Sequence, residues 1–491
     1  MKRESDLYTM GASIMRRWMS ALAVVACICT PVAHAQDGSF DPGFGNGGAL
    51  LVDVSSGTDD KGQVMHLESG GKILMAGTCM KSETIGGHTD PFPKFCATRL
   101  RADGSYDTSF GPGGVGYIRF DRFESIPGGN FPHNSQLADM VRLNDGRILF
   151  MGRQTDPGIF MAVLTSDGSA LDPGVGNGAG FITSQFGADA QSVGTWLLVQ
   201  PDGKILVSGV TIGPNGNDDM AIKRFLPDLS VDTSFGNDGY QTVAFDLGGP
   251  SGDNSDAAVR IALQNDGRIL LSGNALVSTS PPRIDLAFAR LLANGQLDPD
   301  FGPNHDGRAH FPLRGYNTGA VMQVDRHGRI NYAGTTIDVT TSAYFCVVDR
   351  LLGDGSQDPS FNPGDGSGHP QEFAAPYDGS AHNCAIADMD VQADGTIFAA
   401  GEAYHGAPGG ASYFVVAKLK PGGGLDSSFG LNGLSYGQFG YLDANDFATS
   451  IAIGNGGLMV GGYGTDLTGA NTGFGIARLT LDDIFKNGFD D

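Results

Sequence analysis

The chain has 491 residues, 76 of them glycine, with 40% hydrophobic and only 17% charged residues and a formal net charge of −23. Such a composition suits many short strands joined by tight turns and excludes a disordered or mainly helical chain. The acidic balance argues against nucleic acid and anionic membranes as partners.

The first element in the chain reads as an export signal. Arg16-Arg17 precede an apolar run from Met19 to Cys29, and Ala33-His34-Ala35 offers an A-x-A cleavage site before Gln36. Residues 1–35 are therefore predicted to be a signal peptide, with Met15 as an alternative start. The apolar run is too short for a stable membrane span, and no later stretch is long and apolar enough. Val24-Val25-Ala26-Cys27 matches a lipoprotein box only faintly. Cleavage removes four basic and two acidic residues, which leaves 27 basic, 52 acidic and a net charge of −25. Export permits disulfides. Four cysteines remain: Cys79 and Cys96 flank one loop and form one candidate pair, while Cys346 and Cys384, in consecutive units, form the other. Four cysteines allow three connectivities.

From residue 37 the chain repeats itself. Asp41-Pro42-Gly43-Phe44-Gly45 returns at Asp107…Phe110, Asp232…Phe235, Asp298…Phe301, Asp358…Phe361 and Asp426…Phe429, and in degenerate form at Asp172-Pro173-Gly174-Val175-Gly176. Cut before each turn, seven units begin at 37, 103, 167, 228, 294, 354 and 422, each 60 to 68 residues long, and the last ends near 481. Each unit has the same order of pieces. A short strand follows the Phe-Gly turn, and from the second unit onward it closes on Phe120, Phe186, Phe245, Phe311, Phe373 and Phe439. A loop of uneven length leads to a hairpin such as Leu197–Gly209, turning on Asp202-Gly203, whose residues tolerate the positive φ of a tight turn. The second hairpin strand always ends on glycine: Gly77, Gly152, Gly209, Gly273, Gly334, Gly401 and Gly462. After another uneven loop, the last strand carries Arg99, Arg224, Arg290, Arg350 or Arg478 before its final apolar residue, with Lys418 once and Val163 once.

Four strands per unit, repeated seven times, predict an all-β fold: a seven-bladed β-propeller of four antiparallel strands per blade, forming one domain over 37–481. The Gln200–Gly209 hairpin and the Ala102–Gly114 turn resemble the delta-60 repeat family of secreted bacterial proteins across the whole of 37–481. The resemblance implies a β-propeller and carries no established reaction. Val175, Val163 and Asn362 depart from its pattern.

The turn aspartates Asp41, Asp107, Asp172, Asp232, Asp298, Asp358 and Asp426 are expected to accept backbone N–H groups in Asx-turns and to pair with the recurring arginine. The phenylalanines Phe44, Phe110, Phe235, Phe301, Phe361 and Phe429 are expected to plug the seams between blades. Calcium at these turns is disfavoured, because no D-x-D-x-D-G loop accompanies them. Gly433-Leu434-Ser435-Tyr436-Gly437 matches a nucleophile elbow in letters, but falls in a strand rather than between a strand and a helix. His305 and His310 share a loop without metal-ligand spacing. No cofactor motif is present: phosphate-cradling loops are lacking, and Trp196 alone cannot supply the aromatics of a quinone enzyme.

The sequence therefore predicts an exported, monomeric binding or scaffolding module for an extracellular glycan or protein, without catalytic residues. The alternative is a polysaccharide hydrolase or lyase using carboxylates of the mouth loops, with Glu83, Asp90, Asp156, Asp218, Asp219, Asp285, Asp338 and Glu402 as candidates. Two of the four connections in each unit are uniform and two vary, so the variable ones share one face of the blades. Ligand contact is expected at 78–94, 121–136, 210–219, 274–285 and 402–412. Ala49–Val54 is predicted to pair antiparallel with Phe474–Leu479 and so complete the last blade. Residues 482–491 break the pattern and read as a tail.

Overall fold

Strands separated by glycine-rich turns have no helical stretch to compete with. The protein, seen in a computed structural model, holds 28 β-strands and three single-turn 3₁₀ segments among the described residues. These are 37–54, 58–85, 88–120, 135–153, 158–187, 192–212, 216–248, 254–279, 282–312, 316–338, 340–362, 371–374, 383–404, 412–440, 445–454, 456–466, 469 and 471–481. The predicted signal peptide, Asp156 and the tail beyond Leu481 lie outside them.

The first strand, β1 (Ala49–Val52), stands apart from the blade that follows it. Blade 1 is β2 (Asp60–Glu68), β3 (Lys72–Ile85), β4 (His88–Leu100) and β5 (Tyr117–Phe120). Blade 2 is β6 (Gln136–Arg142), β7 (Ile148–Arg153), β8 (Ile159–Leu164) and β9 (Phe181–Ser184). Blade 3 is β10 (Ser192–Val199), β11 (Ile205–Ile212), β12 (Asp218–Phe225) and β13 (Tyr240–Val243). Blade 4 is β14 (Asp256–Leu263), β15 (Ile269–Thr279), β16 (Pro282–Leu291) and β17 (Arg308–Phe311). Blade 5 is β18 (Tyr316–Val324), β19 (Ile330–Asp338), β20 (Ala343–Leu351) and β21 (Gln371–Phe373). Blade 6 is β22 (Asn383–Val391), β23 (Ile397–Tyr404), β24 (Ser412–Leu419) and β25 (Leu434–Gly437). Blade 7 takes β26 (Asp446–Gly454), β27 (Gly457–Thr465) and β28 (Thr472–Leu479) from the end of the chain.

β1 supplies the missing outer strand of blade 7, antiparallel to β28, with Ala49 opposite Ala477 and Val52 opposite Phe474. The first strand of each blade touches the first strand of the next, from β2 round to β26 and back to β2. This is the closed seven-bladed propeller that the repeats predict, with the first strands innermost. Hydrophobic cores lie in the seams between blades, each filled by the facing sides of two neighbouring sheets. The predicted loops 78–94 and 274–285 are largely strand instead: β3 and β4 continue to Ile85 and His88, and β15 and β16 to Thr279 and Pro282, as hairpin arms.

Every innermost strand is interrupted by a β-bulge at an equivalent position, as between Leu137 and Asp139 or Ala258 and Arg260. The bulge explains the recurring glycine of every second strand, which does not end the strand as the sequence predicts but lies within it, as Gly77 does in β3 and Gly209 in β11. A Cβ at Gly77, Gly152, Gly209, Gly273, Gly334, Gly401 or Gly462 would stand 1.8–2.1 Å from a carbonyl oxygen of the innermost strand. No side chain fits there, so glycine is required by close approach.

Candidate functional site

The repeated turn is a latch between blades. All seven turn aspartates use Oδ1 to accept the backbone N–H two residues on, as Asp107 does from Ser109 at 3.0 Å and Asp41 from Gly43 at 2.8 Å. Oδ2 takes the arginine of the preceding strand: Arg99–Asp107, Arg224–Asp232 and Arg290–Asp298 at 2.8 Å, Arg350–Asp358 and Arg478–Asp41 at 2.7 Å. Lys418 stands 3.4 Å from Asp426. Blade 2 has Val163 where the others have arginine, and Arg147, from the hairpin turn, reaches Asp172 at 2.8 Å instead. Each guanidinium also lies over the phenylalanine of its turn, 4.5 Å from the ring centre for Arg224 and Phe235 and 5.2 Å for Arg478 and Phe44. The rings of Phe110, Phe235, Phe301, Phe361 and Phe429 are buried against the glycine that opens the next unit, for example Gly168 against Phe110 and Gly295 against Phe235. Where the pattern has Asn362 for glycine, Asn362 adopts the same left-handed backbone, with φ 46°.

Burial raises the Asp232 carboxyl, but hydrogen bonds from Ser234 and the Lys204 and Arg224 charges outweigh it and bring it down to about 2. Asp107 is lowered in the same way by Lys72, Ser109 and Arg99. Such groups are held ionised as parts of the scaffold.

The cysteines form both candidate pairs. Cys79–Cys96 joins β3 and β4 within blade 1, and Cys346–Cys384 joins β20 of blade 5 to β22 of blade 6. Ser435 sits buried in β25 and donates to the Gly38 carbonyl. His310 is on β17 rather than in a loop, its Nδ1 2.9 Å from the buried Asp285, which Arg283 also grips. Of the other described candidates, only Asp218 and Asp219 are neighbours. Asp338 caps the turn at Thr340 and Thr341, and Glu402 bonds the Tyr404 hydroxyl and is raised by burial. Asp219 is raised by burial and by the neighbouring Asp246 and Asp218. The side chains of Glu83 and Asp90 lie outside the described set.

Two features were not read from the sequence. The first lies on the propeller axis. Just after the bulge, the innermost strands place Asp139, Trp196, Arg260, Asp388 and Ser450 at one equivalent register position. Arg260 of blade 4 reaches Asp388 of blade 6 at 2.7 Å, and its guanidinium stacks 3.9 Å from the Trp196 ring centre. Asp139 accepts from the Leu197 N–H at 2.7 Å, and Asp388 from the Ile451 N–H at 2.9 Å. Both bonds cross to the next blade and satisfy edge groups that no sheet ladder reaches. Burial pushes Asp139 up to about 7. A one-residue bulge shifts the register, so alternation along the strand conceals these positions. Aligning the seven units at the conserved glycine exposes them.

The second feature is a cavity of about 780 Å³ at the face where the variable connections meet. It is enclosed by the inner strands of blades 1, 2 and 3 and by the base of the β3–β4 arm. Lys61, Gln63, Thr78, Gln136, Arg153 and Thr195 supply its polar lining. The opposite face carries the uniform turns, where Gly203 of one hairpin lies near Pro227 of the next turn and Lys204 pairs with Asp232 at 3.2 Å. Of the predicted ligand-face segments, 78–94 contributes Thr78, Met80 and Pro93 to the cavity and 121–136 contributes Gln136.

Three stretches, 200–235, 264–301 and 392–429, match a family described as a domain of unknown function (DUF5122) β-propeller. Each runs from the hairpin turn to the Phe of the latch, the two most regular pieces of the repeat. No curated protein matches the chain. Among solved structures, the chain is similar to a protein of unknown function from Dyadobacter fermentans at 12% identity and TM-score 0.39, covering 77% of this chain and all of that one. It is similar to a polysaccharide lyase, the PL25 ulvan lyase, at 11% identity and TM-score 0.45, covering 91% of this chain and 96% of that one. It is also similar to the GH93 α-L-arabinofuranosidase of Fusarium graminearum at 11% identity and TM-score 0.38, covering 69% and 91%. Likenesses at this level say nothing of ligand or reaction.

Proposed function

We propose that the protein is exported and acts as a monomeric binding module, holding an extracellular glycan or protein at the mouth where the variable connections meet. The observation that carries this reading is the mouth cavity. It is polar and roomy, and it rests on the rigid innermost strands while its wall comes from an arm present only in some blades. The leader-like N-terminus and two disulfides support export. Among the described residues, no helix is long and apolar enough to cross a membrane. The delta-60 resemblance belongs to the same reading.

The hydrolase or lyase alternative has less support. Among the described residues, Asp59 is the cavity's only acidic lining residue, and Asp285, Asp338 and Glu402 are committed within their own blades. A glycan array probed with the mature protein tests the proposal. Binding that is lost on shortening the β3–β4 arm to the length of the β7–β8 connection supports it. Release of reducing ends or unsaturated products from the bound glycan would favour the enzyme instead.

A further inference from the structure

Among the described residues, eleven arginines pair with a carboxylate, as expected in a chain of net charge −23. The mouth cavity holds two cations that do not. Arg153 is exposed there, and its Nε and Nη2 donate to Gln136 Oε1 at 3.0 and 2.7 Å. The amide fixes the guanidinium without cancelling its charge, and Nη1 has no partner among the described residues. Lys61 is exposed in the same cavity, its Nζ 5.8 Å from the Tyr463 ring centre, with no carboxylate partner among the described residues. The cavity's acid, Asp59, accepts the backbone N–H and hydroxyl of Thr472 at 3.0 and 3.3 Å and keeps its charge, so the two cations outnumber it among the described lining residues.

We propose that this cavity takes the carboxylate or sulfate groups of an acidic polysaccharide, with Arg153 and Lys61 as the anion-binding residues. The inference rests on the mouth-face reading above and narrows its ligand. A fixed, un-neutralised guanidinium is suited to bidentate recognition of planar or tetrahedral oxyanions. An acidic peptide is disfavoured, because the inner-strand edge it would extend is already capped. The Leu137 N–H donates to Thr78 Oγ1 at 3.0 Å, and the Leu137 carbonyl accepts from Gln63 Nε2 at 2.8 Å. Strand addition needs such groups free.

The test is calorimetry of the mature protein with polygalacturonate, a sulfated galactan, neutral dextran and poly-glutamate, at low and moderate salt. Arg153→Gln and Lys61→Gln are compared with the parent, and their melting temperatures show that they fold. The proposal expects one of the two acidic polysaccharides to bind and dextran not to. It expects at least a tenfold loss in Arg153→Gln, a severalfold loss in Lys61→Gln and weakening with salt. Dextran binding that neither substitution alters would overturn the anion site and leave the binding module standing. Poly-glutamate binding as tight as that of the polysaccharides would replace the glycan by an acidic peptide. Binding of none of the four would overturn the proposal, and the glycan array then decides the module reading separately.

Discussion

At the residue scale, the latch arginine and the turn aspartate have no independent roles. Arg350 is 2% and Asp358 6% exposed, and besides Arg350 the carboxylate is held by its own turn at Ser360. Burial raises Asp358, but the Ser360 hydrogen bonds and Arg350 outweigh it and lower the group overall. Removing one partner of a buried pair strands the other charge, so Arg350→Met should cost about 3–5 kcal/mol in urea unfolding. The same change at Arg101, an exposed arginine without a carboxylate ion pair among the described residues, should cost little. Protons act in the opposite direction at another set of aspartates. Burial raises Asp139, Asp256 and Asp446 to about 7 and Asp349 to about 6. The folded state therefore binds more protons than the unfolded chain between about pH 4 and 7, and stability falls as pH rises through that window. His66, lowered by burial, opposes them as a single group. The latch aspartates Asp232, Asp358 and Asp426, lowered instead, lose their contribution as pH drops below about 4. The melting temperature should accordingly be higher at pH 5.5 than at pH 8 and collapse below pH 3.5. A melting temperature that climbs from pH 5.5 to 8 would contradict this assignment.

At the element scale, two devices hold the ring shut. The N-terminal segment gives blade 7 its outer strand and also completes the blade 6 latch, where Asp37 pairs with Lys418 at 2.7 Å and the Gly430 N–H donates to the Asp37 carbonyl. Deleting residues 37–52 should expose the β28 edge, broaden the unfolding transition and promote aggregation, measured by calorimetry and light scattering. A deletion that melts like the parent would show that this closure is dispensable. The Cys346–Cys384 bond spans 38 residues and ties two blades, whereas Cys79–Cys96 spans 17 within one. In chain-entropy terms the losses on replacement by serine are about 4 and about 3 kcal/mol. Urea unfolding should therefore rank the interblade bond above the other. The closing strand was legible in the sequence because seven copies of one turn imply seven outer strands, and the count leaves Ala49–Val52 without a blade of its own. The bulges were not legible, since one inserted residue looks like ordinary variation within a strand. The ring residues Asp139, Arg260 and Asp388 went unread for that reason.

At the scale of the whole molecule, the repeat pattern revealed a scaffold more clearly than a site. The latch residues repeat because every seam presents the same packing problem, and repetition makes them visible. Lys61, Gln136 and Arg153 differ from blade to blade and come together only once the ring is closed, so no local motif announces them. Binding at an asymmetric mouth on a symmetric ring is tested by hydrogen–deuterium exchange of the mature protein with and without the polysaccharide that binds it most tightly. Exchange should slow at 59–63, 78–80, 136–138 and 193–195, with the hairpin turns at 144–147, 201–204 and 265–268 unchanged. Protection confined to those turns, on the uniform face, would contradict it.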